Sequence, residues 1–260
     1  MSNPFVPQAG CIFSADIAVP EHERETRFYS HVLNTGEEPL WRKDLMNNQG
    51  MPIIGLGARI PAYDHLPLQW MPHMQVADVA SSVARALDLG GRALMHDKDD
   101  DGKSRWAVLL DPNGAAFGVI PVVPAESMPS TEDTSTRVGR ISWLDLTVLD
   151  AIATRDFYRE VIGWSIQDVE MKDTGERYAD FNMLGADGNP MAGVCHARGA
   201  NIGLPATWMI YLPVGDLAES LRRVEEEGGK IIKTTRGADR EDAYAVIQDP
   251  VGVYLALASG

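Results

Sequence analysis

Apolar and polar positions alternate along this chain with two different periods. In four stretches the apolar residues recur at intervals of three and four, which is typical of helices with one buried face. The clearest such face is formed by Val79, Val83, Ala86 and Leu87. The pattern predicts helices over 21–33, 79–89, 151–161 and 217–227. Asp78 directly precedes the second of these and is predicted to cap it.

Short apolar stretches bounded by Gly, Pro, Asn or Asp lie between the predicted helices and predict strands. In the first half they cover 10–19, 38–45, 51–60, 68–76, 92–95, 105–110 and 116–122, with a polar loop at 96–103. In the second half they cover 140–148, 165–171, 177–184, 191–196 and 208–213, and three short strands follow the last helix. Both halves therefore repeat one order of elements, a strand, a helix and further strands.

The sequence itself also repeats. Six anchors keep one spacing in both halves: Trp70/Trp208, Val76/Val214, Asp78/Asp216, Gly91/Gly229, Asp111/Asp249 and Gly114/Gly252. A second shared motif lies upstream, R-F-Y-S-H-V-L at Arg27–Leu33 and D-F-Y-R-E-V-I at Asp156–Ile162. One unit of roughly 120 residues is thus written twice. We predict a first domain at 8–123, a linker rich in Ser, Thr, Pro and acidic residues at 124–137, and a second domain at 138–260.

Charge and cysteine content narrow the classes of partner. The 260 residues carry a formal net charge of -14 and include two cysteines. Nucleic acids are recognised through basic surfaces, so a nucleic-acid partner is not expected, and a small neutral or cationic molecule is favoured. Two cysteines indicate no disulfide framework. Without a predicted signal peptide or an apolar stretch long enough to span a bilayer, we expect a cytoplasmic protein without a membrane partner, as a monomer or homodimer.

The repeated motifs resemble those of the vicinal-oxygen-chelate superfamily, which includes glyoxalase I, bleomycin-resistance proteins and extradiol dioxygenases. The resemblance rests on F-Y-x-x-V-[LI], V-x-D, G-G-[RK] and D-P-x-G, each present twice at matching spacings. W-M-x-x-x-x-V-x-D is more narrowly similar to a two-domain glyoxalase-like branch often labelled hydroxylase. The resemblance implies an α+β fold of two tandem domains. Each would consist of paired βαβββ modules that form a curved, cup-shaped mixed sheet with its helices outside.

The resemblance also implies where a divalent metal ion would bind. In metal-dependent members, His, Gln or Glu ligands lie on the first and fifth strands and at the ends of the fourth and eighth. Those positions fall here on Ser14, Met71 and Gly118 in the first domain and on Trp143, Met209 and Ala256 in the second. These side chains supply almost none of the oxygen, nitrogen or thiolate ligands that divalent ions need. We therefore predict no cofactor, and a bound metal would require atypical ligands.

Other side chains on the same strands are candidates for chemistry. Residues two apart in a strand share a face, so Asp16 should lie beside Ser14 and His73 beside Met71. A carboxylate that orients an imidazole is a usable general base, which makes Asp16 and His73 a candidate catalytic pair. Alternatively, Asp16 and His73 form a hydrogen-bonded polar pair without a catalytic role, or they orient a ligand, or they lie apart.

The second domain offers aromatic and apolar side chains at corresponding positions. Tyr and Trp combine a large apolar face with one hydrogen-bond donor and line ligand pockets well. The candidate ligand-binding residues are Ser14 and Met71 in the first domain and Trp143, Asp145, Met209, Tyr211 and Tyr254 in the second. Because the two cups carry different residues, one should be the main site, and the second is favoured.

Two shorter motifs are better explained without a site. Asp97–Gly102 matches the start of a calcium loop, but the twelfth position is Val108 and no helices are predicted to flank it, so a hairpin loop is favoured. Cys195 and His196 are neighbours in a predicted strand and should point to opposite faces, which disfavours a Cys–His nucleophile.

Three functions remain open. The first is a glyoxalase- or bleomycin-resistance-like protein that binds a small organic molecule without the usual metal. The second is a lyase, isomerase or dioxygenase-like enzyme, either metal-free through Asp16 and His73 or with atypical metal ligands. The third is an interaction protein with vestigial cups.

Overall fold

The computed structural model describes residues 7–36, 53–127, 139–236 and 242–260. The first half of the chain builds one mixed sheet. Its elements are β1 (Ile12–Val19), α1 (His22–Leu33), β2 (Ile54–Ala58), β3 (Met71–Val76), α2 (Val79–Asp88), β4 (Arg92–Lys98), β5 (Ser104–Leu110) and β6 (Ala116–Pro121). Among the described residues the strand order is β2-β1-β3-β6-β5-β4. β1 and β2 are parallel, as are β3 and β6, whereas β4, β5 and β6 pair antiparallel.

The second half of the chain builds the other mixed sheet. Its elements are β7 (Trp143–Val148), α3 (Ala151–Ile162), β8 (Ser165–Asp173), β9 (Glu176–Leu184), β10 (Pro190–His196), β11 (Trp208–Val214), α4 (Leu217–Glu226), β12 (Lys230–Arg236), β13 (Asp242–Gln248) and β14 (Tyr254–Ser259). Within the described part of the chain the order is β12-β13-β14-β11-β7-β10-β9-β8. The predicted fold, two tandem copies of one mixed α/β arrangement, is confirmed.

The predicted elements agree with these bounds except at a few places. The hairpin of β4 and β5 is longer than predicted, because β4 continues to Lys98 through part of the segment predicted as a loop. Cross-strand bonds between polar side chains hold this extension, with His96 Nε2 2.7 Å from Ser104 Oγ and Arg105 Nε 2.6 Å from Asp97. The turn itself is closed by Asp99, whose carboxylate accepts from two backbone N–H groups. The strand predicted at 38–45 and most of the predicted linker lie outside the described residues.

The described residues form two compact units, and each unit takes segments from both repeats. The first unit contains residues 7–13, 71–127 and 144–208. The second contains residues 14–36, 53–70, 139–143, 209–236 and 242–260. The predicted domain boundaries remain predictions.

Each unit contains one pair of packed helices, joined in the same way. In the first unit, where α2 packs against α3, Ser82 Oγ donates to the carbonyl oxygen of Val161 at 2.7 Å. In the second unit, where α1 packs against α4, Ser220 Oγ donates to the carbonyl oxygen of Val32 at 2.8 Å. A hydroxyl that bonds a carbonyl near a helix end satisfies one of the acceptors that the helix leaves open. The helix caps also repeat, since Asp78 and Asp216 each accept a backbone N–H three residues ahead.

The repeated motifs meet inside these units. In the second unit the Tyr29 ring lies edge-on to Trp70, with 5.5 Å between ring centroids, and its hydroxyl donates to Asp249. In the first unit the Tyr158 ring lies edge-on to Trp208 at 5.0 Å, and the Tyr158 hydroxyl accepts a hydrogen bond from Trp208 Nε1. These tyrosines and tryptophans are almost fully buried. The F-Y motif and the repeated tryptophans therefore serve the two cores.

Candidate functional site

Strand alternation gives β14 an apolar face that packs against a helix and a second face that carries an aromatic side chain. In β14, Leu255 and Leu257 are 0% exposed, and α4 packs against this strand. Tyr254 and Ala256 alternate with them and therefore point to the other face. The predicted site residue Tyr254 thus lies on the second face.

Asp16 and His73 each lie above a glycine on the neighbouring strand. Asp16 is exposed on β1 between the buried Ala15 and Ile17, and it pairs in register with Gly55. A side chain at position 55 would overlap the Asp16 carboxylate. His73 is half-buried on β3 and pairs with Gly118, and a side chain there would overlap its ring.

The predicted contact between Asp16 and His73 remains a prediction. Asp16 belongs to the second unit and His73 to the first. Each side chain has an interaction of its own. The structure thus shows how each is accommodated, because a glycine beneath the side chain leaves room for a carboxylate or an imidazole close to the backbone.

Two tyrosines form an arch in the second sheet. Tyr211 on β11 pairs in register with Ala256 on β14, and Tyr244 on β13 pairs with Ala258 of the same strand. Their ring centroids are only 5.3 Å apart with an interplanar angle of 63°. Strands on either side of a central strand are separated by roughly twice 4.8 Å, so the two rings must lean towards each other above the two alanines. We call this surface, formed by Tyr211, Tyr244, Tyr254, Ala256 and Met209, the tyrosine face.

The other predicted ligand-binding residues have the following positions. Met209 and Tyr211 are buried, 4% and 9% exposed, whereas Tyr254 is half-buried and pairs with Gln248. Trp143 begins β7 and is half-buried in the second unit. Asp145 is half-buried in the first unit and pairs with Gly193. Tyr244 was missed by sequence reasoning, although its alternation with buried residues of β13 is a usable signal.

The positions of the family's metal ligands carry side chains that suit a metal poorly. Ser14 and Met71 are 6% and 4% exposed, and Ala256 is fully buried beneath the tyrosine arch. One hydroxyl and thioethers do not provide the ligands that zinc, iron, magnesium or manganese prefer. Over residues 7–36, 53–127, 139–236 and 242–260, no three His, Cys, Asp or Glu side chains are grouped as a metal site. The side chains present at these positions therefore do not fit the family's metal.

An aspartate–histidine pair that sequence reasoning missed lies at the end of β10. The Asp180 carboxylate, on β9, is 3.0 Å from His196 Nδ1 and also accepts the backbone N–H of His196 at 2.8 Å. Asp180 is 4% exposed, whereas the His196 side chain keeps 21% of its surface. The Tyr178 ring lies edge-on to the imidazole, with 5.7 Å between centroids. A buried carboxylate on Nδ1 fixes the ring and directs Nε2 away from it, which is the arrangement of a general base.

The thiol next to His196 is not a nucleophile in this geometry. Burial, together with the neighbouring Asp145 and Asp180 carboxylates, raises the pKa of the Cys195 thiol well above its usual range. A thiol needs a lowered pKa to react readily. This agrees with the sequence-based argument against a Cys195–His196 nucleophile.

Comparison with known families matches both halves of the chain. Residues 14–120 match the glyoxalase-like domain, and residues 140–257 match the glyoxalase/bleomycin resistance protein/dioxygenase superfamily. No described helix is both long enough and apolar enough to cross a membrane.

Individual relatives are distant. The anthracycline biosynthesis protein DauV of Streptomyces sp. (strain C5) is 26% identical over 181 residues, which is 66% of this chain and 60% of that protein. The anthracycline biosynthesis protein DnrV of Streptomyces peucetius is 28% identical over 131 residues, 46% of each chain. The match thus covers only about half to three fifths of the length of these curated relatives.

Solved structures share the fold. The Mn(II)-bound glyoxalase from Novosphingobium aromaticivorans superposes with a TM-score of 0.58 at 15% identity, over 97% of this chain and 82% of that one. This likeness shows the fold alone. The two family matches, over residues 14–120 and 140–257, show that the chain belongs to the glyoxalase/bleomycin resistance protein/dioxygenase superfamily.

Proposed function

We propose that this chain binds a small aromatic organic molecule at the tyrosine face, without a divalent metal ion as part of the site. The observation that carries the proposal is the arch of Tyr211 and Tyr244 above Ala256. In metal-dependent relatives the positions of Met209 and Ala256 hold ligands, whereas here the same place is apolar and roofed by aromatic rings.

The arch supports an aromatic ligand for a physical reason. Aromatic rings favour edge-on and offset contacts, worth about 0.5–1.5 kcal/mol beyond the area they bury. Tyr244 and Tyr254 keep partly exposed surface that a second ring can contact. Their hydroxyl groups can also hydrogen-bond substituents of the ligand.

A polar group at the edge of this face supports the same proposal. Thr235 on β12 pairs in register with Tyr244. Its Oγ1 is buried and has no hydrogen-bond partner among the described residues. A buried hydroxyl without a partner costs free energy, and a ligand with a carbonyl or hydroxyl group could satisfy it.

The names of the relatives suggest a class of ligand. DauV and DnrV are named for anthracycline biosynthesis, and anthracyclines contain planar, fused aromatic rings with carbonyl and hydroxyl substituents. The net charge of -14 favours a neutral or cationic member of such a class.

The test is a binding titration of the chelator-treated protein with a fluorescent anthracycline, followed by calorimetry and by quenching of the ligand's fluorescence. We expect saturable binding with one main site. Tyr211→Ala and Tyr244→Ala should each weaken binding about three- to tenfold, the effect of losing one aromatic contact.

Matched control variants come from the first sheet. The repeat places His73 and Trp106 where the second sheet has Tyr211 and Tyr244. His73→Ala and Trp106→Ala should leave the affinity unchanged. An affinity that falls with these two variants instead, or that requires added metal, would refute the proposal. Failure of every aromatic probe to bind would favour an interaction protein with vestigial cups.

A second candidate function, a metal-free acid–base enzyme, is favoured by Asp180 and His196. Their geometry is that of a general base, whereas no contact has been established for the predicted pair Asp16 and His73. Abstraction of a carbon-bound proton next to a carbonyl group is a reaction that such a base performs.

Deuterium exchange at the methyl group of acetophenone in D2O, followed by NMR, would test this candidate. His196→Ala should abolish protein-catalysed exchange, and Asp180→Asn should reduce it by at least tenfold, within the range for general bases. His31→Ala, at a surface histidine paired with Glu227, is the control. Loss of exchange in His73→Ala, with His196→Ala active, would instead support the predicted Asp16–His73 pair.

A further inference from the structure

A buried carboxyl group lies in the core of the second unit. Glu25 is on the inner face of α1 and is 0% exposed. Within the described part of the chain, neither of its side-chain oxygens accepts a hydrogen bond. An ionised carboxylate is very costly in such a place unless it is paired.

Tyr29 lies one helical turn after Glu25 on the buried face of α1, and its hydroxyl donates to Asp249, which brings a second acid to the same part of the core. Burial raises the pKa of Glu25, and the charge of Asp249, which is 3% exposed, raises it further. Asp249 is itself well supplied with donors, since Tyr29 donates to Oδ2 at 2.8 Å and two backbone N–H groups, those of Val251 and Val253, donate to Oδ1. Burial raises the pKa of Asp249 as well, but these three donors favour its ionised form, which makes it the ionised partner.

Nearby cations do not neutralise the pair. Arg24 on the same helix has a half-exposed side chain and pairs at 3.2 Å with Glu21, which lies near Glu25 and is acidic. On the packed helix α4, Glu227 is occupied by Arg27 at 3.2 Å and His31 at 3.0 Å. Tyr29 remains neutral, because burial and Asp249 raise its pKa.

The corresponding place in the first unit has a threonine instead of a second acid. The repeat aligns Glu25 with Thr154 and Val251 with Asn113. Thr154 Oγ1 donates to the carbonyl oxygen of Asp150 and accepts from Asn113 Nδ2 at 3.0 Å, and Asn113 also donates to Asp111. The side chains of Thr154, Asn113 and Asp111 are thus all hydrogen-bonded, and a threonine hydroxyl stands where the second unit has the Glu25 carboxyl group.

We infer that Glu25 and Asp249 form a buried proton-binding site, in which Glu25 holds a proton and Asp249 is ionised at neutral pH. Two ionised carboxylates in one buried place repel each other and lose their hydration, and a single proton removes both costs. The direction of the shift agrees, since burial, followed by the charge of Asp249, raises the pKa of Glu25 to about 8.

The consequence for stability follows from proton linkage. The folded pKa of Glu25 lies above its ordinary value of 4.5, so the native state binds more protons than the unfolded state between pH 4.5 and about 8. The contribution of the site is fully present below the ordinary value and is lost as the pH rises through the folded pKa. The second unit should therefore weaken as the pH rises from 4.5 to about 8, and the effect should level off above that value.

The test compares urea unfolding of the wild type, Glu25→Gln and Glu23→Gln from mildly acidic to mildly alkaline pH. Glu23→Gln removes an exposed acid two residues away and is the matched control. The unfolding constant of the wild type should rise with pH more steeply than that of Glu25→Gln, by up to about tenfold per pH unit. Glu23→Gln should follow the wild type. Equal slopes in wild type and Glu25→Gln would overturn the inference.

An infrared measurement on the folded protein provides a readout that does not depend on unfolding. The wild type and Glu23→Gln should show a protonated-carboxyl band at neutral pH that disappears in mildly alkaline solution, and Glu25→Gln should lack it. If Glu25→Gln does not fold, Glu25→Thr, which copies the first unit, replaces it. A wild type without the band, or one stabilised by sodium or potassium but not by tetramethylammonium, would show a cation in place of the proton.

Discussion

Tyr29 donates its phenolic hydrogen to Asp249 Oδ2 over 2.8 Å, although 220 residues separate the two in sequence. The bond joins the F-Y motif of the first repeat to the D-P-x-G motif of the second. Asp249 also binds the backbone of its own turn at Val251 and Val253. The recurring motifs therefore stabilise the fold. The buried aspartate accepts hydrogen bonds from the backbone of its own turn, and the tyrosine donates another to its carboxylate.

Tyr29→Phe should lower the free energy of unfolding by about 1–3 kcal/mol, because a buried carboxylate loses its side-chain donor while the ring remains. Chemical denaturation would measure the change. Tyr63→Phe, at a partly exposed tyrosine in a short 3-10 turn, should leave stability within error. Equal stability of Tyr29→Phe and the wild type would mean that water replaces the donor at no cost.

Asp78→Ala should cost about 1 kcal/mol, because the Asp78 side chain accepts the backbone N–H of Ser81 at 2.7 Å and caps α2. Thermal unfolding would detect it as a lower melting temperature. Asp78→Ser should recover most of the loss, since a hydroxyl oxygen can accept the same bond. No difference between the alanine and serine variants would exclude the cap as the cause.

Gly118→Ala should destabilise the protein by about 1–3 kcal/mol, the usual cost of overpacking. A methyl group there would overlap the His73 ring. Removing the ring should make room, so the cost of Gly118→Ala should fall in a His73→Ala background. A double-mutant cycle measures this coupling, and additive effects would contradict the close contact.

Neither cysteine should react with Ellman's reagent in the folded protein within minutes at mildly alkaline pH. Burial and the Asp187 carboxylate raise the pKa of the Cys11 thiol to about 11, and the pKa of Cys195 is raised as well. Both thiols should react after unfolding in urea. Rapid labelling of one thiol in the native protein would show that its environment opens, and mass spectrometry would identify which.

The sequence was informative about the fold because its repeat and periodicity reflect burial. The cap at Asp78 and the helix over Ala151–Ile162 follow from local residue types, and both were predicted. The length of β4 was not, since His96 and Asp97 are polar and look like loop residues. Their partners Ser104 and Arg105 lie on the returning strand, and such cross-strand bonds leave no periodic signal.

The candidate site was less predictable for a similar reason. Strand alternation places Tyr211 and Tyr254 on one face, but the inclination of Tyr211 towards Tyr244 depends on the small residues between their strands. The argument that Cys195 and His196 diverge was sound, yet the partner of His196 is Asp180 on the adjacent strand. The contact between Asp16 and His73 is still to be tested.

Because each compact unit contains segments from both repeats, the two units can fold only in a fixed order during synthesis on the ribosome. The first unit is complete in sequence once Trp208 has been made, whereas the second needs residues up to the last strand. The aromatic side chains of the second core are synthesised early, namely Phe28, Tyr29 and Trp70. Their native environment can form only after Asp249 has been synthesised. The nascent chain thus carries an amphipathic helix whose apolar face lacks its packing partner for most of translation, when a chaperone would matter most.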